Sequence, residues 1–319
     1  MKRLSTESVR VLILSAGKIE KELEKIFGNI PSGLIPLNGK PVIFRIIDKL
    51  LDEGFRKISI TVGYKKEIIQ EIISKQYKKK VELEFISTEF DKPPGNSIKT
   101  AINYCPEEKL LIILGDTLIE NNLIGLVDGG NSFVLTSQKF DNPENWCVIT
   151  QKDQKIDEIF DKERNLVKND KHYVLVGGYF FNDAELLRHI LENVDEKEKL
   201  EISSIIKKYK NEKDVAVELA ELWHDVGHLE NYFSTKQFLL KARYFNSLQF
   251  DDFAKIVTKQ RHTQGRRGIF LHLSKKKIPI FRYTETVMAH YSLLVYSLAI
   301  IFPSIFISET SPQCLESND

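Results

Sequence analysis

Apolar residues follow two rhythms along the first half of the chain. Residues 11–14, 57–62, 81–87 and 110–114 are short runs rich in valine, isoleucine and leucine, and runs of that length and composition predict buried strands. Between them, 41–51 places Val42, Ile43, Ile46, Ile47, Leu50 and Leu51 at helical spacing behind Pro41, a helix opened by proline and ended at Glu53-Gly54. Residues 66–76 and 96–104 also read as helices. The charged stretch 18–27 reads as a short helix or a loop, and 28–39, with Pro31, Gly33, Pro36 and Asn38-Gly39, as a turn-rich loop. Strands alternating with helices through short connections predict a parallel sheet with right-handed crossovers. Beyond Gly130 the rhythm changes. Strands at 132–138, 147–151, 173–181 and 215–221 mix with helices at 184–193, 201–209 and 229–246, which predicts a mixed extension of the sheet.

Composition narrows the setting. The 319 residues suit one large domain or two ordinary ones. Lys and Arg number 46 against 45 Asp and Glu, so no overall field recruits nucleic acid. Cys105, Cys147 and Cys314 are odd in number and far apart, which gives neither a zinc spacing nor a disulfide framework and predicts a reducing compartment. Residues 1–10 are polar and carry no apolar leader, so the expected location is cytoplasmic. Near Gln264 the composition shifts, and the chain divides into a domain at 1–248 and a tail at 249–319. The tail is first basic, with Arg266-Arg267 and Lys275-Lys276-Lys277, then apolar over 287–307. That stretch has roughly the length that crosses a bilayer, so membrane association through 287–307 stands beside the cytoplasmic expectation. A buried helix, a peripheral hairpin or the remnant of a second domain are the other readings.

Candidate chemistry begins where the fourth apolar run stops at Gly115-Asp116. A carboxylate after a buried strand lies at the carboxyl edge of the sheet, where open α/β sheets bind ligands; the plain alternative is a turn or cap aspartate. Asp225, in Trp223-His224-Asp225-Val226-Gly227, would share a hard cation such as Mg²⁺ with phosphate oxygens if the fold delivers it to the same edge. Ser15-Ala16-Gly17 after the first run can turn backbone N–H groups toward a phosphate, although it matches no Walker loop or dinucleotide fingerprint and is by itself an ordinary strand end. His224 and His228 at i and i+4 beside Asp225 suggest a metallohydrolase ligand set, which Gly227 opposes by breaking the helix that spacing needs. Trp146, Tyr179 and Trp223 are either pocket walls or core.

Several blocks in order carry a resemblance. Val11-Leu12-Ile13-Leu14-Ser15-Ala16-Gly17, then Leu34-Ile35-Pro36-Leu37-Asn38-Gly39-Lys40-Pro41-Val42-Ile43, then 58–64, resemble the opening of the sugar-phosphate nucleotidyltransferases. The similarity continues through Gly95-Asn96-Ser97, Gly115-Asp116, Val176-Gly177-Gly178-Tyr179-Phe180 and the Trp223–His228 block, and covers 9–246. It implies a Rossmann-like, GT-A-type α/β fold with a mixed, mainly parallel central sheet flanked by helices. It implies an enzyme that joins a nucleoside triphosphate to a sugar 1-phosphate or small alcohol phosphate and releases pyrophosphate, with Mg²⁺ as cofactor. By the same resemblance Asp116 and Asp225 are the metal ligands, and Leu14, Ser15, Ala16 and Gly17 with Gly95, Asn96 and Ser97 hold the nucleotide. Lys162, Gly178 and Glu201 border the acceptor. Read without the resemblance, Lys162 is a solvated lysine in a charged stretch, Gly95 and Gly178 are turn glycines, and Glu201 is a first-turn helix acid.

The chain departs from the family pattern at two places. Lys18-Ile19-Glu20 stands where Gly-Thr-Arg is usual, and Ser32 stands near the place of a lysine. Lys18, Lys21 or Lys40 is the expected replacement charge, with Lys18 placed among the catalytic residues. A nucleotide-binding pseudoenzyme is the alternative these departures suggest. Residues 242–252 resemble the junction of the bifunctional nucleotidyltransferase/kinase proteins of the cytidylyltransferase branch, but no kinase signature follows. Family habit puts the product in surface-polysaccharide or lipid-head-group assembly.

Overall fold

The computed structural model describes residues 6–247 except 168, 170 and 196–199. The tail at 249–319 lies outside the described residues. The first half runs β1 (Val9–Leu14), α1 (Lys21–Phe27), β2 (Pro36–Leu37), β3 (Lys40–Pro41), α2 (Val42–Asp52), β4 (Lys57–Val62), α3 (Lys66–Tyr77), β5 (Glu82–Ser87), α4 (Pro94–Ala101) and β6 (Lys109–Leu114). The second half runs β7 (Thr117–Ile119), α5 (Leu123–Asp128), β8 (Phe133–Ser137), β9 (Cys147–Lys152), β10 (Lys155–Asp161), β11 (Tyr173–Phe181), α6 (Ala184–Glu192), α7 (Ile202–Glu212), β12 (Ala216–Leu219), β13 (Trp223–Asp225) and α8 (Leu229–Ser247).

Among the described residues the main sheet has nine strands in the order β5-β4-β1-β6-β11-β8-β12-β10-β9. The parallel pattern predicted from the alternation is confined to β5, β4, β1 and β6. β11 then runs antiparallel to both β6 and β8, β12 is parallel to β8, and β10 is antiparallel to β12 and β9. The result is a Rossmann-like α/β fold with a mixed sheet.

The first strand shows why the sheet is two-faced. Val11, Leu12 and Ile13 are all fully buried, as a strand covered by helices on both sides requires. Side chains alternate across a strand, so Val9, Val11 and Ile13 join the core that contains Val42, Ile43, Ile46, Ile47 and Leu50 of α2 and Ile69 and Ile73 of α3. Leu12 and Leu14 join the opposite core, with Ile98 of α4, Leu187 of α6 and Ile205 of α7. Each such side chain contributes on the order of 1.5–3 kcal/mol when fully buried.

Several elements escaped the sequence reading, among them the two-residue strands β2 and β3 within the stretch read as loop. β10 is a charged strand, Lys-Ile-Asp-Glu-Ile-Phe-Asp, whose exposed side chains hide the period-two signal. β7 and β13 have three residues each and pair only with one another, so neither carries a local pattern. The six-residue α5 is too short for helical periodicity and is marked by its cap, where the Asn122 side chain accepts a hydrogen bond from the Gly125 N–H.

The membrane expectation is corrected. Among the described residues no helix is long and apolar enough to cross a membrane. Residues 287–307, which prompted the expectation, lie outside the described residues, and no membrane contact enters the reading below.

At the amino-terminal edge of the sheet one buried cation organises three strands. Arg10, 5 % exposed, donates to both Glu107 carboxylate oxygens at 2.9 and 2.8 Å, to Glu82 at 2.7 Å and to the Ser59 hydroxyl at 3.4 Å. Burial alone would raise the Glu107 carboxyl, but hydrogen bonds from Arg10, its own backbone and Lys57 hold it below the usual carboxylate range. Removing one partner of a buried pair leaves the other uncompensated. We expect Glu107→Gln to lose about 3 kcal/mol in chemical denaturation at pH 7. A depressed carboxyl stabilises the fold above its unfolded value and loses that contribution as pH falls through its folded value. The gap between wild type and variant should therefore close as the pH drops below about 4.

Candidate active site

The carboxyl ends of β1 and β6 meet because the strands pair in register up to Leu14 opposite Leu114. The Gly115 N–H then donates to the Leu14 carbonyl at 2.8 Å, and a Cβ on Gly115 would lie 2.8 Å from that same oxygen. Only glycine fits such an approach, which explains why glycine precedes Asp116. After Asp116 the chain enters β7, and β7 pairs antiparallel with β13, setting Asp225 opposite Thr117. The Val226 N–H donates to the Asp116 carbonyl at 3.0 Å. Two aspartates far apart in sequence are thus fixed side by side.

Their side chains converge. A Cβ on Gly227 would lie 3.2 Å from Asp225 Oδ1 and 3.4 Å from Asp116 Oδ2, so one small cradle is reached by an oxygen from each carboxylate. Burial, with the charge of Asp225 added, pushes the Asp116 carboxyl up to about 6. Asp225 is well supplied with donors. Its Oδ1 accepts the Gly227 N–H at 2.8 Å, and its Oδ2 accepts the Asn231 side-chain amide at 3.1 Å and bonds His228 Nδ1. His228 Nε2 lies 3.3 Å from Glu20 Oε1. The Asp225 hydrogen bond raises the His228 imidazole to about 9 against the opposing effect of burial, with the Asp225, Glu20 and Asp116 charges adding.

These groups line a cavity of about 210 Å³. Lys18 and Ser32 face it from the loops around α1, and Trp146 and Trp223 wall it, their rings 5.3 Å apart and edge to face. Lys18 Nζ is 3.4 Å from Glu24 Oε2 on α1. Of the replacement charges considered from the sequence, Lys18 lines this cavity, whereas Lys40 pairs with Asp48 and lines a separate cavity behind β7.

The turn after β1 is zipped to the loop that follows α1. The Ser32 N–H donates to the Gly17 carbonyl and the Ile19 N–H to the Ile30 carbonyl, both at 3.2 Å, and Lys18 bridges Pro31. Leu14, Ser15 and Ala16 are buried. The Ser15 N–H bonds the carbonyl and hydroxyl of Thr61, and the Ala16 carbonyl accepts the Tyr64 N–H at 2.8 Å. Residues 18–20, directly beyond them, are what the turn presents to the cavity.

Gly95, Asn96 and Ser97 form the first turn of α4 and stand apart from the carboxylates. A Cβ on Gly95 would come within 2.2 Å of the Leu200 carbonyl, Asn96 Oδ1 accepts the Leu200 N–H at 3.1 Å, and the Ser97 and Thr88 hydroxyls bond at 3.1 Å. This turn docks the chain just before α7. Glu201 follows Leu200 at the start of that helix. Lys162 has a φ of +54° and donates its N–H at 3.0 Å to the carbonyl of the cavity residue Trp146. Burial pushes the Cys147 thiol far up, and the charges of Asp161, Lys162 and Glu201 all act on it. Gly178 lies elsewhere, on β11, with the Leu135 and Ile119 side chains packed where its Cβ would be. Its neighbour Gly177 has the φ of +90° that favours glycine.

The paired-histidine ligand set does not form. Alternation along β13 turns Trp223 and Asp225 to the cavity and His224 away, against the Phe238 ring at 4.6 Å. Among the described residues no group of three or more His, Cys, Asp or Glu side chains could hold a metal ion. Glu20, Ser32 and Thr117 were missed as cavity residues. Only their proximity to named motifs could have flagged them, because none stands in a motif of its own.

Fold and site together define a class: a Rossmann-like α/β protein whose mixed sheet carries two neighbouring carboxylates at the carboxyl ends of its central strands. The chain belongs to the sugar-phosphate nucleotidyltransferase family: the family described as nucleotidyl transferase matches residues 10–242. It is 31 % identical over 221 residues to the bifunctional protein GlmU of Methanococcus maripaludis strain C5, covering 68 % of this chain and 51 % of that protein. It is 26 % identical over 183 residues to the UTP–glucose-1-phosphate uridylyltransferase AglF of Haloferax volcanii, covering 55 % of this chain and 73 % of that protein. A UDP-glucose pyrophosphorylase solved with UDP-glucose superposes with a TM-score of 0.62 at 15 % identity, covering 73 % of this chain and 98 % of that one. The chain spans about half the length of the GlmU proteins it matches.

Gly95 offers a test of the packing. A Cβ there must displace backbone rather than a side-chain tip, so Gly95→Ala is expected to lower stability by about 1–3 kcal/mol in denaturant titration.

Proposed function

We propose that the protein is a Mg²⁺-dependent nucleotidyltransferase that joins a nucleoside triphosphate to a sugar 1-phosphate, or to a small alcohol phosphate, and releases pyrophosphate. The observation that carries this reading is the convergence of Asp116 and Asp225 on one cradle beside Gly227. Two carboxylates held together in a half-buried setting repel one another, and burial together with the Asp225 charge raises the Asp116 carboxyl. A hard cation relieves it. Mg²⁺ is typically bound by one or two carboxylates and completes its shell with water and phosphate oxygens, so the donor set fits, with Asp116 and Asp225 as the holding residues. When bound, the ion neutralises phosphate charge and orients the reacting oxygens.

The chain's own residues supply the rest. An oxygen of the acceptor phosphate forms the new bond to the α-phosphorus while the bond to the bridging oxygen breaks and pyrophosphate leaves. No side-chain nucleophile is needed, and placement and charge carry the catalysis. Lys18 faces the cavity and supplies charge toward the triphosphate, a task the family pattern gives to an arginine and a lysine at the places of Glu20 and Ser32. Trp146 and Trp223 exclude water. Lys162, tied through its backbone to Trp146, serves the acceptor phosphate as a point charge. The similarity to the UTP–glucose-1-phosphate uridylyltransferase AglF supports a sugar phosphate as the acceptor and nucleotide-sugar synthesis as the setting.

The test is pyrophosphate release from CTP, UTP, GTP, ATP and dTTP with Mg²⁺ and a panel of sugar 1-phosphates. One pairing should turn over. Asp116→Asn and Asp225→Asn should each lower kcat/KM on it by about a hundredfold or more, roughly 2.7 kcal/mol of transition-state stabilisation, and Lys18→Ala by about tenfold. Nucleotide binding without turnover across the panel would replace this reading with that of a pseudoenzyme.

A further inference from the structure

The two oxygens of Asp225 are not equivalent. Oδ1 accepts the Gly227 N–H and faces the cradle that Asp116 Oδ2 also reaches. Oδ2 is held by His228 Nδ1 and the Asn231 amide. Asp225 is the last residue of a three-residue strand, so little besides these bonds fixes its side-chain torsions. The Asp225 side chain is 10 % exposed, whereas His228 is 54 % exposed. The histidine ring nevertheless has both nitrogens engaged, Nδ1 by Asp225 and Nε2 by Glu20 at 3.3 Å, and Trp146 packs on it with ring centroids 6.0 Å apart. Glu20 immediately precedes α1 and lies two residues after Lys18.

We propose that His228 is a positioning residue: by holding Oδ2 it presents Asp225 Oδ1 to the cation beside Asp116, and through Glu20 it ties the loop carrying Lys18 to the same carboxylate. This rests on the function proposed above. Partners that orient a metal-ligating side chain typically matter 10–100-fold in metal affinity. His228, just before α8, and Asn231, in its first turn, reach Asp225, while the Gly227 bond comes from the backbone and survives any substitution at 228. The histidine is therefore the removable part of the anchor.

The chemistry of the ring suggests its own control. Asparagine places an amide nitrogen near the position of Nδ1 but has no reach to Glu20. Phenylalanine keeps the ring and loses both bonds. Mn²⁺ binding would be measured by electron paramagnetic resonance, in the presence of the triphosphate that the wild type uses, for wild type, His228→Phe, His228→Asn and Glu20→Gln. His228→Phe should weaken Mn²⁺ binding by about 10–100-fold, and His228→Asn should recover most of the loss. Glu20→Gln, which leaves the Asp225 bonds intact, should bind Mn²⁺ as the wild type does. Wild-type affinity in His228→Phe, or equal losses in the Phe, Asn and Gln variants, would overturn the proposal. Failure of the underlying function would look different, because the wild type itself would then bind no Mn²⁺.

Discussion

The pairing of β7 with β13 is the constraint on which the site depends. Each strand has three residues, and a ribbon that small has no independent stability. It persists because both ends are built into larger structure: β7 continues directly from β6, a central strand of the sheet, and β13 leads into α8, whose Tyr232 is buried and donates to the Pro36 carbonyl at 2.8 Å. The register then does the rest. With Asp225 opposite Thr117 and the Val226 N–H on the Asp116 carbonyl, a slip of one residue would turn Asp225 away from the cavity and bring His224 into it.

Bringing two carboxylates together costs electrostatic free energy, and the surrounding residues manage that cost in two ways. Asp225 receives amide and imidazole donors at Oδ2 and the backbone Gly227 donor at Oδ1. On the inner side, toward Asp116, the glycine at 227 leaves space instead of a side chain. There burial and the charge of Asp225 together raise the Asp116 carboxyl.

The departures from the family pattern become intelligible in the same terms. The turn after β1 carries a short helix and is zipped to residues 30–32, so Lys18 is held beside Ser32 at the cavity rather than on a free glycine-rich loop. Glu20 adds negative charge at the same rim and is met by His228. The rim is thus a network of opposed charges in which each cation has a carboxylate neighbour, Lys18 with Glu24 and His228 with Asp225 and Glu20.

Much of this was legible in the chain alone, and for a definite reason. β1, β4, β6 and α2 declare themselves because a strand or helix that packs against the core must carry its apolar side chains at a fixed period, and 57–62 and 173–181 were read with the bounds the structure shows. Gly115-Asp116 was readable because a buried strand must end where its polar residue begins. The convergence of Asp116 and Asp225, by contrast, was only implied by a resemblance, since it rests on β7 and β13, which are too short to leave a pattern. Whether a glycine serves a turn or a packing contact was equally hidden: Gly95 is required by the Leu200 carbonyl and Gly178 by the Leu135 side chain, neighbours far away along the chain. The sequence by itself determined the periodic elements and the chemistry available to them, because both are local properties. The tertiary structure decided which side chains share a cavity and which way Asp225, His224 and His228 face, because those depend on register between segments that carry no information about each other.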